Sequence, residues 1–287
     1  MTFIEELDFK IVDAIVQEAL AEDVGGGDIT TNALIPHDLE CRATVAAKQD
    51  CVVAGVPVAL ALLRSFDPSV RASVRCADGG TAKAGAELMS LEGRARSILT
   101  CERTLLNFLQ RLSGIATLTR CFVEACGTKR VKILDTRKTT PLLRHVEKYA
   151  VRAGGGENHR IGLYDQFLIK DNHLHLMGEI GPNPFGRGIA AARKHAPGIP
   201  VEVEIERIEE IDAALDAGAD IILFDNMAPE TLKEAVAIVG GRALTEASGG
   251  ITLDNVREYA ETGVDRISVG ALTHSAKAID ISLDIVE

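Results

Sequence analysis

The sequence predicts an α/β fold in which a small mixed domain precedes a series of βα units too short for a full barrel. Three observations predict it. Six short apolar runs in the second half each end in polar, charged or glycine residues. The last four recur about every 20–23 residues with helix-like segments between them, the rhythm of strands in a parallel sheet. A full (β/α)8 barrel needs eight strands and about 250 residues, so six strands after residue 130 make a smaller or incomplete one.

The elements follow in order. Residues 8–22 (DFKIVDAIVQEALAE) alternate apolar and polar at helical spacing, and Gly25-Gly26-Gly27-Asp28 ends that helix. The stretch Glu22–Thr31 reads as a turn with a cap. Residues 41–99 read as strands and turns, with only Val56–Ser65 helical. Residues 100–126 read as a long helix or helix pair, with Leu105, Leu109 and Leu112 on one stripe. The strand runs are Val131–Asp135, Phe167–Ile169, Val201–Ile205, Ile221–Phe224, Ala243–Glu246 and Ile267–Val269. The final segment, Ser275–Glu287, reads as helix-like.

Composition bounds the function. With 287 residues, 46% hydrophobic and 25% charged, the chain has room for one or two globular domains. No apolar run reaches the roughly 18 residues of a membrane span, and the acidic start MTFIEELDFK lacks a signal-peptide n-region. The six cysteines show no CxxC pair or zinc-ligand spacing, which reads as reduced thiols of a cytoplasmic protein. A net charge of −11 argues against a nucleic-acid surface. Residues 130–175 nevertheless hold nine Lys/Arg against five Asp/Glu, with 22 and 37 elsewhere. That local excess points to a small anionic ligand or to a solvated basic face.

Ligands of parallel α/β folds sit at the carboxyl ends of the strands, where the polar clusters fall. Arg137 and Lys138 end the first strand among the hydroxyls of Thr136, Thr139 and Thr140. A guanidinium grips a carboxylate or phosphate in two places, and the ammonium adds a point charge. Gly154-Gly155-Gly156 exposes backbone N–H groups, and His159 and Arg160 add directional donors. Lys170 stands at the second strand end, where it also suits a Schiff-base lysine of the aldolase kind. Glu204 and Asp225 end successive strands and can face one cavity, holding Mg²⁺ through water or a ribose hydroxyl. The bland alternative for Asp225 is helix capping. Glu202, two residues before Glu204, should point the same way and pair with a basic neighbour. Ser248-Gly249-Gly250 and Gly270-Ala271 are glycine turns before helix N-termini, the fold-general phosphate site. Arg103 reads locally as a surface arginine. His145, His173, His175 and His274 read as structural, and His37 and His195 as surface residues.

Taken together these segments resemble the quinolinate phosphoribosyltransferases, also called carboxylating nicotinate-nucleotide pyrophosphorylases. The resemblance rests on EDVGGGDITT, ERTLLNFLQRLSGIAT, LDTRKTTPLLR, KYAVRAGGGENHRIGLYDQFLIKDNH, VEVE, ILFDN, ASGGI and VGALTHS, which span nearly the whole chain. Leu142 stands where the family usually has glycine, and Ala153 where cysteine is common. The resemblance implies an incomplete α/β barrel, residues 113–274, with a smaller N-terminal α/β sandwich domain, residues 1–112, joined by the C-terminal segment 275–287. It implies a cytoplasmic homodimer in which each site borrows Arg103 from the other subunit. It implies the substrates quinolinate and phosphoribosyl pyrophosphate (PRPP), with Mg²⁺. Quinolinate falls to Arg103, Arg137, His159, Arg160 and Lys170. PRPP and its 5-phosphate fall to Lys138, Glu204, Asp225, Ser248, Gly249, Gly250, Gly270 and Ala271. The catalytic set is Lys138, Lys170, Glu204 and Asp225. Other readings are a relative using another pyridine or aromatic acid, including a paralogue tied to metal uptake, a Schiff-base aldolase, and a barrel that only senses a phosphorylated metabolite.

Overall fold

The computed structural model describes residues 7–286. By contacts the chain divides into two units. The first holds residues up to 120, 138–155 and 271 onward; the second holds 121–137 and 156–270.

In the first unit, the helix Phe9–Val24 begins at Asp8, whose carboxylate accepts from Lys10 N at 2.9 Å, and buries Val12, Val16 and Leu20. Asp28 caps the next helix, Ile29–Leu34, by accepting from Thr31 N at 2.9 Å. The same carboxylate accepts from Thr100 Oγ1, and Asp23 accepts from Thr104 Oγ1. The glycine-rich turn is therefore the capped structural element that its sequence suggests. Strands β1 (Glu40–Ala47), β2 (Cys51–Val52), β3 (Arg71–Val74), β4 (Thr81–Ala82) and β5 (Glu87–Arg94) follow, with the helix Val56–Phe66 after β2. β1 lies between β5 and the C-terminal strand Ile281–Val286, and β3 flanks β5, all antiparallel. One unbroken helix then spans Ala95–Cys126. Its Ile98, Leu105, Leu109 and Leu112 are almost wholly buried; each such side chain contributes about 1.5–3 kcal/mol on burial.

The last segment corrects the helical reading. Residues Ile281–Val286 form a strand, with Ile281 and Leu283 buried and Ser282 and Asp284 turned outward. The period is two, and a partner strand at β1 decides between two readings that six residues alone leave open.

A buried ion pair explains why residues 138–155 and 271–287 group with the first unit. Glu147, wholly buried, accepts from Arg111 Nη2 at 2.8 Å and from Thr140 N and Oγ1 at 3.0 and 2.8 Å. Arg111 also donates to the carbonyls of Thr273 and Ala276. The expected boundary at 112/113 thus falls inside the helix Ala95–Cys126. Leu142, in the tethered segment, has φ 68° and is 88% exposed. The left-handed region costs a non-glycine residue about 1–2 kcal/mol, against about 0.5–1 kcal/mol of extra chain entropy for glycine. Leu142→Gly is expected to raise the thermal midpoint by about 1–3 °C, measured by calorimetry.

The second unit is built on six parallel strands: β6 (Lys132–Leu134), β7 (Phe167–Ile169), β8 (Val201–Ile205), β9 (Ile221–Asp225), β10 (Leu244–Ser248) and β11 (Arg266–Ser268). Their order is β6-β11-β10-β9-β8-β7. This is the incomplete α/β barrel the strand count predicts. At the free edge of β6 an extended residue stands in for a strand: Glu157 N donates to Ile133 O at 2.8 Å, and Asp135 N donates to Glu157 O at 3.2 Å.

Register fixes which side chains share a face. Glu202 pairs with Leu168 and Ile221, Glu204 with Leu223, and Glu246 with Leu223 and Arg266. Ser248 pairs with Asp225 and Ser268. Because successive side chains alternate, Glu202, Glu204, Asp225, Glu246, Ser248, Arg266 and Ser268 lie on one face. Val201, Val203, Ile222, Phe224, Ala247 and Ile267 fill the other and are almost wholly buried. Among the described residues no helix is long and apolar enough to cross a membrane.

Candidate active site

The cations gather at the end of β6 and in the loop before β7. Asp135, wholly buried, accepts from His159 N at 3.0 Å and from Asn158 Nδ2, tying that loop to the strand end that carries Arg137. Arg160 Nη1 donates to Gln166 O at 3.2 Å. Burial and the neighbouring charge of Arg137 hold the Arg160 guanidinium below the ordinary arginine value. Two cations that destabilise each other in a half-buried setting favour an anion between them.

The next strand ends carry opposite charge. Lys170, directly after β7, places its Nζ 2.7 Å from Oε2 of Glu204 on β8. Lys170 is thus engaged as the cation of an ion pair. Asp225 Oδ2 accepts from Asn226 Nδ2 at 2.7 Å. Asp225 caps no helix, because the following helix starts at Pro229 with Ala228 as its cap.

The glycine turns differ from expectation in one respect. After Ser248-Gly249-Gly250 the helix starts only at Val256, and after Gly270 there is a single turn, Ala271–His274. After Gly249-Gly250 the turn itself, rather than a helix end, presents the N–H groups, whereas Gly270 directly precedes the short helix Ala271–His274. Gly249 has φ 92°, and a side chain there would collide with Asn226 Oδ1; Asn226 N donates to Ser248 O at 2.9 Å.

His159 sits deeper than a surface donor. Its Nε2 lies 3.1 Å from Glu202 Oε2 and 3.3 Å from Glu246 Oε1, both carboxylates being wholly buried. Gln166 Nε2 donates to Glu202 Oε2 at 2.6 Å, and Ser268 Oγ donates to Glu246 Oε1 at 2.7 Å. Glu202 therefore has the basic partner expected for it, a histidine. Burial lowers the imidazole pKa, but the two carboxylates outweigh it and push it up to about 10. Arg160 N donates to His159 Nδ1 at 2.7 Å, which requires a lone pair there and so a proton on Nε2 alone. The proton that the raised pKa keeps in this buried cluster is then carried by Glu202 rather than by Nδ1. The upward shift of Glu202, from burial and from Glu246, agrees with that placement.

Contacts assign Arg137, His159, Arg160, Lys170, Glu204, Asp225, Ser248, Gly249, Gly250 and Gly270 to the second unit, and Arg103, Lys138 and Ala271 to the first. Arg103 is exposed on the helix Ala95–Cys126, and Lys138, also exposed, accepts through its carbonyl from Thr273 Oγ1 at 2.7 Å. Glu246, Asp135 and Gln166 escaped the sequence reading. Glu246 stands two residues before Ser248 as Glu202 stands before Glu204, and that spacing was its signal. His173 Nδ1 accepts from Lys170 N at 2.9 Å, a structural contact as expected.

Two family models cover the chain: the N-terminal domain of quinolinate phosphoribosyl transferase over residues 28–113, and its C-terminal domain over residues 115–284. The chain belongs to the quinolinate phosphoribosyltransferase family. It is 43% identical over 289 residues to the chloroplastic nicotinate-nucleotide pyrophosphorylase (carboxylating) of Oryza sativa, covering 95% of this chain and 77% of that one. It is 41% identical over 288 residues to the enzyme of the same name from Mycobacterium leprae, covering 98% and 100%. The solved nicotinate-nucleotide pyrophosphorylase from Francisella tularensis superposes with a TM-score of 0.91 at 39% identity, over 99% of each chain. Every strand end described above lies within the C-terminal family model. Membership in this family, with Lys170 paired to Glu204, displaces the aldolase reading.

Proposed function

We propose that this protein transfers phosphoribosyl from PRPP to quinolinate and decarboxylates the product, releasing nicotinate mononucleotide, pyrophosphate and CO₂. The observation that carries the reading is the pair Arg137 and Arg160, neighbouring cations at the strand end beside a carboxylate-bearing face. Quinolinate has two adjacent carboxylates, and two guanidiniums match that spacing of charge better than the single carboxylate of nicotinate does. His159 orders the acid pocket from below, and Arg103 completes it from the other subunit of a homodimer. Lys138 and Lys170 lie toward both substrates. Ser248, Gly249, Gly250, Gly270 and Ala271 hold the 5-phosphate.

The chemistry follows from charge placement. The C1–oxygen bond of PRPP breaks, its electrons leave with pyrophosphate, and positive charge develops at C1. Glu204 and Asp225, on adjacent strands and one face, stabilise it electrostatically. The ring nitrogen donates its lone pair to C1 and becomes a pyridinium. The carboxylate then leaves as CO₂, the electrons of its C–C bond stay on the ring carbon as a carbanion that the adjacent positive nitrogen stabilises, and that carbon takes a proton from water. The protein mainly positions and desolvates.

Mg²⁺ belongs to this reading as the companion of pyrophosphate, whose charge it neutralises. Two carboxylates suit an ion that keeps its waters and is shared with phosphate. Among the described residues, the one cluster of three candidate ligands is His159, Glu202 and Glu246, a set that includes neither Glu204 nor Asp225. A cytoplasmic location fits six free cysteines.

The direct test supplies quinolinate, PRPP and Mg²⁺ to the purified protein. Nicotinate mononucleotide and CO₂ should appear in equal amounts, dependent on both substrates. Neither product, with PRPP still bound, would move the acceptor to another aromatic acid. A second test addresses the turn. Gly249→Ala meets both a backbone cost of about 1–2 kcal/mol and the Asn226 side chain. It should raise the KM for PRPP with little change in the KM for quinolinate.

A further inference from the structure

We infer that Glu202, with Glu246 beside it, is a positioning residue that sets the geometry of Arg160 without touching substrate. This rests on the reading that Arg160 binds the acid. The support is a closed ring of hydrogen bonds. One arm runs from Glu202 Oε2 to His159 Nε2 (3.1 Å), and from His159 Nδ1 to the backbone N of Arg160 (2.7 Å). The other runs from Glu202 Oε2 to Gln166 Nε2 (2.6 Å), and from Gln166 O to Arg160 Nη1 (3.2 Å). One buried oxygen thus fixes both the main chain and the guanidinium of the same arginine. Glu246 Oε1 approaches the same Nε2 at 3.3 Å and is itself held by Ser268 Oγ at 2.7 Å.

Buried ionic groups are commonly replaceable by apolar residues without loss of stability, and their best-attested use is to enforce one geometry. A metal centre is the competing account, because candidate ligand atoms of His159, Glu202 and Glu246 lie within 4.8 Å of one another. The hydrogen bonds argue against it. Arg160 N takes the lone pair of Nδ1, so Nε2 carries a proton and has none to give a metal. Gln166 and Ser268 each engage one oxygen of a carboxylate, and the other oxygens, Glu202 Oε1 and Glu246 Oε2, are buried without a hydrogen-bond partner among the described residues.

The experiment compares Glu202→Ala, Glu202→Gln and Arg160→Ala by steady-state kinetics in both substrates. Glu202→Ala should raise the KM for quinolinate about tenfold or more, since small misplacements of a binding group cost up to about a hundredfold. The KM for PRPP should stay within about twofold, a difference too small to matter on the scale of tenfold per 1.4 kcal/mol. Glu202→Gln keeps an oxygen for His159 and Gln166 and should restore most of the loss. In an Arg160→Ala background, Glu202→Ala should add nothing further, because both changes remove one function. Equal rises in both KM values, no rescue by glutamine, or additive losses would each overturn the inference. If Glu202→Ala does not fold, Gln166→Met cuts one arm of the ring and should give a smaller rise in the quinolinate KM alone; no rise overturns the inference. If Arg160→Ala leaves the quinolinate KM unchanged, the functional reading fails. If it raises that KM and Glu202→Ala does not, only the positioning role fails.

Discussion

Arg160→Ala is expected to lower kcat/KM for quinolinate by about 30-fold or more. Removing one partner of a buried charge pair costs about 2–5 kcal/mol, much of it from the anion left behind, and each 1.4 kcal/mol is tenfold. Arg160 is only half-buried, which places the effect toward the lower part of that range. Its neighbour Arg137 stays, so the remaining guanidinium still attracts one carboxylate of the acid. The loss should therefore fall on quinolinate, with PRPP binding nearly intact. Steady-state kinetics with each substrate varied in turn checks this, and unchanged quinolinate turnover would remove Arg160 from the site.

The second large effect concerns Arg103. It is exposed on the helix Ala95–Cys126, surroundings that by themselves explain no catalytic loss within one chain. Arg103→Ala should nonetheless be inactive, as should Arg137→Ala. Mixing the two under subunit exchange should restore activity. In a two-fold dimer, half of the randomly paired molecules are hybrids, and each has one site with both arginines, so about a quarter of the sites recover. Absence of recovery, with exchange verified by mass spectrometry, would count against a shared site.

Much of the barrel was legible because its signals are periodic. Six apolar runs became six parallel strands, and the alternation within VEVE put Glu202 and Glu204 on one face. What stayed hidden depends on contacts distant in sequence. The pairing of His159 with Glu246 joins positions far apart in the chain, and no local pattern announces it. The C-terminal strand looked helical because its six residues carry too few periods to decide, and β1 supplies the decision. Arg103 is a further case: its local surroundings describe a surface arginine, and only the family resemblance gave it a role.

The residue that pairs along the free edge of β6 has a consequence for how acceptor choice can change. Glu157 and the stretch after it, with His159, Arg160 and Gln166, belong to a connection laid against the sheet rather than to a sheet strand. Apart from Lys138, the residues proposed for the sugar-phosphate donor sit instead at the ends of β8, β9 and β10, or in the turns that follow β10 and β11. In the proposed assignment the loop 156–166 thus serves the acceptor, together with Arg137 and Lys170 after β6 and β7. Within that assignment, changes confined to residues 156–166 would alter the acceptor's surroundings while strands β8 to β11 kept their hydrogen-bond register.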